Sequence, residues 1–215
     1  MPVGDFVADK WQDILFRSFQ HLSLVAQSVL LATIIAIALA VLVTRVPQLK
    51  PAANMLSAIG LTIPSFALLG LLLPLVGIGA LPSVIAVTFY ATLPILRNAV
   101  VGLSGVSPTL LESAKGMGMG STARFLRVQL PMAWPVIMAG LRVSAQMSMG
   151  VAAIAAYALG PGLGPYIFTG LAQIGGANAL NYALVGTLGV VVLALLLDAA
   201  LLLVSRLTTS KGIRA

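Results

Sequence analysis

From Pro51 to Leu96 the chain carries no charged residue. A stretch of that kind offers no polar face to water. In a bilayer its backbone groups must be satisfied within the segment, which makes it helical. A helix needs about 20 residues to cross a hydrocarbon core of about 30 Å, so the stretch is too long for one crossing. It divides at Gly77-Ile78-Gly79-Ala80-Leu81-Pro82, which gives one span near 53–76 and another near 82–104. Pro64, Pro74 and Pro94 lie inside them and predict kinks, because proline removes an intrahelical hydrogen bond.

The same reasoning places a first span near 22–43, uncharged after His21 and ended by Arg45-Val46-Pro47-Gln48-Leu49-Lys50-Pro51. A fourth falls near 135–158 and a fifth near 182–204. Between these two, Gly160-Pro161-Gly162-Leu163-Gly164-Pro165 forces a sharp break, and 161–180 reads as a short re-entrant or surface segment. Residues 5–20 place Trp11, Leu15, Phe19 and Leu22 at helical spacing. They form either an amphipathic surface helix or an outward extension of the first span. The expected fold is an all-α polytopic membrane helix bundle of about five transmembrane helices, in one domain over 1–215.

Composition agrees: 8% of residues are charged, against about 25% in soluble domains, and the mean hydropathy is +1.08. The net charge of +7 raises the possibility of nucleic acid, but the basic residues sit in short loops, where they set membrane orientation. Arg45, Lys50, Lys115, Arg124, Arg127, Arg206, Lys211 and Arg214 all fall on one side of a five-span chain. That side is predicted to be cytoplasmic, with the N-terminus outside. Asp5, Asp9 and Asp13 argue against a cleavable signal peptide. With no Cys and the single His21, thiolate and histidine-cluster metal sites are excluded. No phosphate-binding Gly-x4-Gly-Lys-Ser/Thr loop occurs, and five acidic residues offer no paired-carboxylate site. Three ionisable residues lie in or near spans: Arg97, Arg142 and Asp198. Such residues signal function or pairing, and structural ion pairing toward the cytoplasmic side is the expectation. Small residues crowd the fourth span, from Ala139 and Gly140 to Ala152 and Ala153, and allow close helix approach.

The longest polar interruption is Leu111-Glu112-Ser113-Ala114-Lys115-Gly116-Met117-Gly118, running on to Val128-Gln129-Leu130-Pro131. Ser107 is a suitable N-cap, followed by Pro108 at the first helical position. A helix is expected from Pro108 to about Lys115, ended by Gly116, Gly118 and Gly120. Ser121 would start a second helix ending at Pro131.

This pattern reads Glu-Ser-Ala, three residues, Gly, nine residues, Val-x-Leu-Pro. It resembles the cytoplasmic signature loop of ABC importer permeases, with Ser113 and Val128 as small departures. Further stretches resemble the permeases of osmoprotectant importers of the glycine betaine/carnitine/choline type. They are Leu61-Thr62-Ile63-Pro64-Ser65-Phe66, Pro74-Leu75-Val76-Gly77-Ile78-Gly79, Leu93-Pro94-Ile95-Leu96-Arg97-Asn98 and Ala114-Lys115-Gly116-Met117-Gly118-Met119. The resemblance covers about 20–205. It implies a type I importer permease, non-catalytic itself, paired with a second permease subunit, identical or related. Cytoplasmic ABC ATPase subunits bind ATP and Mg, and an extracytoplasmic solute-binding protein, expected to be a separate chain, delivers solute. Glu112, Ser113, Ala114, Gly118, Val128, Leu130 and Pro131 would couple to the ATPase, within a cytoplasmic loop over about 107–131. The chain itself needs no cofactor or metal, contacts lipid and no nucleic acid, and sits in a bacterial or archaeal cytoplasmic membrane. Aromatic residues are few and form no cage in the sequence, so selectivity is expected mainly in the binding protein. The alternatives are an ABC permease for another small solute, such as an amino acid, and an ion-coupled secondary transporter with Asp198 as its coupling carboxylate.

Overall fold

A computed structural model of the protein describes residues 1–209. Every regular element among them is helical. Lys211 and Arg214 of the basic tail lie outside the described residues.

Helix α1 (Val3–Arg45) is one unbroken rod of 43 residues, about 65 Å at 1.5 Å per residue. That is twice the hydrocarbon thickness, so residues 5–20 extend the first span and form no separate surface helix. The apolar stripe Trp11, Leu15 and Phe19 points outward. The opposite face carries Phe6, Asp13, Arg17 and His21 toward the protein.

The second expected span is not a kinked helix but a broken one. Helices α2 (Lys50–Thr62) and α3 (Ser65–Val76) meet at 93°. Ile63 and Pro64 are extended, with ψ of 124° and 133°. Proline disfavours helical conformation in the residue before it. The break also leaves the Ile63 carbonyl without a helical partner, and the Tyr90 hydroxyl, from α4 (Ala80–Ser104), donates to it. The local sequence shows the proline but not the tyrosine that stabilises a full turn. Pro74 and Pro94, by contrast, sit inside α3 and α4 without ending them. The Tyr90→Phe variant is expected to lose about 1 kcal/mol, the low end of the cost of an unsatisfied carbonyl because this one is only part-buried. Thermal unfolding in detergent measures it, and an unchanged midpoint would remove the hydroxyl from any role at the break.

Past α5 (Pro108–Gly116), helix α6 (Ser121–Arg124) passes through a π-helical turn, Phe125–Gln129, into α7 (Leu130–Ala155). The second loop helix therefore does not end at Pro131. A proline ring inside a regular helix clashes with the carbonyl four residues earlier. Here the chain widens just ahead of it, and Leu130 N–H reaches back five residues to the Phe125 carbonyl. The result is one rod over Ser121–Ala158.

Four helices are long and apolar enough to cross a membrane, α1, α4, the Ser121–Ala158 rod and α9 (Ala179–Thr208), and the total is five if the bent α2–α3 pair is one broken span. Small residues let the central three approach closely. Ala32, Ala36 and Ala40 of α1 are fully buried. A Cβ on Gly140 would lie 2.5 Å from that of Asn98, and one on Gly102 would lie 3.0 Å from the Ala133 carbonyl. Ser144 Oγ donates to Ala91 O at 2.6 Å, tying α7 to α4. The apolar face of α9 is turned outward.

The Gly160–Pro165 break does end the rod, and α8 (Gly164–Ala172) follows as the short segment expected there. His21 fixes this corner. Its Nε2–H donates to Met149 O at 3.2 Å, and Nδ1 accepts from Leu163 N–H at 3.3 Å. Those two bonds require the neutral imidazole with the proton on Nε2. Gly162, at φ +124°, sits against the same ring, where a Cβ would collide with it. The N-terminal half of α1 docks here: Phe6 packs edge-on against Tyr182 and Tyr166 at 4.8 and 6.5 Å. Asp13 takes the Tyr166 hydroxyl at 2.7 Å and Arg17 Nε at 2.9 and 3.0 Å. Burial, together with the carboxylate it donates to, pushes the Tyr166 hydroxyl above the ordinary phenol range.

Candidate coupling loop and membrane ion pair

At the opposite end of the bundle, α5 is built from local signals. Pro108 occupies its first turn, and Leu111 N–H bonds the Ser107 carbonyl at 3.2 Å. Ser107 stands at the N-cap position, but its side chain makes no capping bond. The helix stops as the glycines suggest, though only one of them carries the stop. Gly118 has φ +83°, Met119 N–H reaches Ala114 O at 3.1 Å and Gly118 N–H reaches Lys115 O at 2.9 Å. These are the paired bonds of a left-handed helix terminus, where glycine has no Cβ penalty. No atom lies within 4 Å of where a Gly118 Cβ would stand, so conformation, not space, requires glycine there.

The seven motif residues divide by exposure. Ala114 is buried against the bundle, and Val128 and Leu130 are half-buried at the π turn. Glu112, Ser113, Gly118 and Pro131 are exposed. Ser113 Oγ is turned inward on its own helix, donating to Thr109 O at 2.9 Å. Glu112 is the one acidic residue of α5 and is exposed, as are Leu110 and Met117 elsewhere around its end. Behind α5 a polar cleft of about 250 Å³ is lined by Thr44, Arg45, Leu111, Ser121, Arg124 and Gln129. Gln129 also bonds the Leu103 carbonyl at 3.1 Å, joining the π turn to the end of α4. α5 is thus joined to α4 directly through residues 105–107, and the loop is joined to α7 through the π turn.

Two of the three span charges meet. Arg142 Nε and Nη2 donate to the two Asp198 oxygens at 2.8 and 2.7 Å, a bidentate fork between α7 and α9. Nearer the α5 end, Trp134 Nε1 donates to Thr208 Oγ1 at 2.7 Å, a second tie between the same helices. Arg97 does not join the pair: it is exposed on α4 and makes no ion pair among the described residues. No group of His, Cys, Asp or Glu fit to hold a metal occurs among the described residues. Sequence reasoning missed Asp13 as the anchor of α8. Its spacing of four from Arg17 is a local signal for the ion pair, one the sequence reading did not draw, and nothing local points to the tyrosine 153 residues away.

A membrane bundle with an exposed two-helix loop, a broken second span and α1, α4 and α7 at its centre is the permease fold of type I ABC importers. A solved structure titled "Inward facing conformations of the MetNI methionine ABC transporter" superposes with a TM-score of 0.75, covering 92% of this chain and 96% of its own, at 24% identity. Residues 28–210 match the family described as binding-protein-dependent transport system inner membrane component, and the chain belongs to that family. It is 36% identical to the choline transport system permease protein OpuBB of Bacillus subtilis, over 99% of this chain and 96% of the relative. It is 37% identical to the glycine betaine/carnitine/choline transport system permease protein OpuCB of the same organism, over 97% and 94%. With the osmoprotectant import permease protein OsmW of Salmonella typhimurium it shares 41% identity, over 92% of each. The protein is a multi-pass transport permease, a subunit class that works with ABC ATPases.

Proposed function

We propose that this chain is the permease subunit of an ATP-driven importer for a small quaternary-amine osmoprotectant such as glycine betaine, choline or carnitine. The observation that carries this is the near full-length similarity to permeases named for those solutes. Two permease subunits form the path, an extracytoplasmic binding protein loads it, and cytoplasmic ATPases holding ATP and Mg drive it. α5 is the coupling helix. Glu112 offers its carboxylate to a basic or backbone donor on the ATPase, and Gly118 sets the angle of the turn. Ser113 and Ala114 fix the helix to itself and to the bundle, while Val128, Leu130 and Pro131 carry the motion into α7. Arg142 and Asp198 hold α7 against α9 as a structural pair.

The test is uptake in proteoliposomes containing the permease, its ATPase and its binding protein, with labelled choline, glycine betaine, carnitine and a panel of amino acids. ATP-dependent uptake of the quaternary amines is expected. Uptake confined to an amino acid would replace the substrate class, and uptake driven by an ion gradient without ATPase would overturn the importer reading. The N-terminus is extracytoplasmic and the C-terminus cytoplasmic in this reading, from the placement of basic residues. A Gly4→Cys variant of this cysteine-free chain is expected to react with an impermeant maleimide from outside. Labelling only from the cytoplasm would invert the topology.

A further inference from the structure

Three aromatic residues far apart in the sequence converge in the structure. Phe66 stands in the first turn of α3, just after the break between α2 and α3. Tyr157 lies in the 3₁₀ turn Ala156–Ala158 that ends the long rod, and Phe168 lies in α8. The Phe66–Tyr157 centroids are 5.3 Å apart, and each of these rings is 6.2 Å from Phe168. The rings are steeply tilted, at 76°, 88° and 52° to one another. They are not a closed core: Phe66 is 46% and Tyr157 63% exposed. Membrane-interface anchors are a different arrangement, and Trp11, Phe16 and Phe19 show it, strung along the outward side of one helix.

We propose that Phe66, Tyr157 and Phe168 form a site for the trimethylammonium group of the solute as it enters the permease. The inference rests on the quaternary-amine reading above and gives this chain its own share in recognition. Ring faces carry the negative lobe of the aromatic quadrupole, and a quaternary cation is held by several such faces within about 6 Å of their centroids. A triangle with these sides is small enough for a cation above it to lie within that distance of all three. Choline, glycine betaine and carnitine share the trimethylammonium group, so one site serves all three. Arg17 lines a neighbouring cleft of about 650 Å³ with Phe168. Its charge is already engaged by Asp13 through both carboxylate oxygens, which limits repulsion. The place suits entry. It is at the end of the bundle away from α5 and beside a discontinuous helix, the kind of element that forms solute sites in other transporters. Two exposed rings and one half-buried ring without a counter-charge give weak binding, and conduction requires a solute to leave as readily as it enters.

The test uses the full chain in lipid nanodiscs, with choline methyl protons observed by saturation-transfer NMR during titration. Choline is expected to bind weakly and to be displaced by tetramethylammonium. Its uncharged carbon isostere, 3,3-dimethylbutan-1-ol, should bind about tenfold less well. Phe66→Leu, Tyr157→Leu and Phe168→Leu keep an apolar side chain and are each expected to weaken choline binding by about five- to tenfold, while Tyr157→Phe stays within about twofold of the parent. Equal binding of the isostere would reduce the cluster to an apolar patch and overturn the proposal. So would leucine variants that bind choline like the parent while the reconstituted complex imports it, and in that case the importer reading survives. No uptake of any quaternary amine by the complete parent complex would overturn that reading and, with it, the substrate assigned to the rings.

Discussion

Gly118→Val is expected to abolish transport while leaving the affinity of the binding protein for its solute unchanged. Gly118 holds φ +83° at the end of α5, where Met119 N–H and Gly118 N–H close back on Ala114 and Lys115. A left-handed conformation costs an L-residue about 1–2 kcal/mol, and a β-branched side chain more. The turn would relieve this by changing shape, and α5 would present Glu112 at another angle. The open space around the position means that valine meets no core atom, so the damage stays local. Membrane abundance of the variant should therefore match the parent, and its unfolding midpoint should fall by no more than several degrees, roughly 2–4 °C per kcal/mol. Failed co-purification of the ATPase, or ATP hydrolysis no longer stimulated by loaded binding protein, would locate the defect at the loop. Glu112→Ala should act in the same direction more weakly, because exposed Glu112 contributes one charged contact rather than the geometry of the turn. A Gly118→Val complex with parental uptake would refute the coupling role.

Asp198→Asn is expected to impair folding and assembly while leaving the choice of solute intact. The carboxylate accepts two short bonds from Arg142, with the side chains 33% and 20% exposed. Removing one partner of a buried pair leaves the other charge uncompensated, at a cost of about 3–5 kcal/mol. Partial exposure places this pair near the low end of that range. Detergent-purified variant should unfold at a lower temperature and yield less complex. The Trp134–Thr208 bond persists in the variant, so α9 should loosen rather than detach. A variant that assembled normally but changed its order of preference among choline, betaine and carnitine would reassign Asp198 to the solute path.

Much of this architecture is written locally. The charge-free stretch from Pro51 to Leu96 demands membrane helices whatever their neighbours. Pro108 and Gly118 fix the ends of α5 because a fixed φ and a tolerated positive φ are properties of single residues. The Gly160–Pro165 break and the motif spacing are equally local. Where the sequence left residues 5–20 open, the answer lay in partners: Phe6 needed Tyr182, and Asp13 needed Tyr166.

What the sequence by itself determined was therefore the class of fold, the approximate position of the apolar helices and the place and ends of the polar loop helix. Tertiary structure alone decided that Pro64 breaks its span instead of bending it, since Tyr90 is there to satisfy Ile63. It likewise decided that the loop helix continues through Pro131 on a π turn, that Arg142 and not Arg97 takes Asp198, and that Phe66, Tyr157 and Phe168 meet. The physical reason is the same in each case. Apolar length, caps and turn residues act within a few neighbours along the chain. Pairing of charges, hydroxyls and rings depends on which helix faces come together, and that is set by close packing of small residues on α1, α4 and α7.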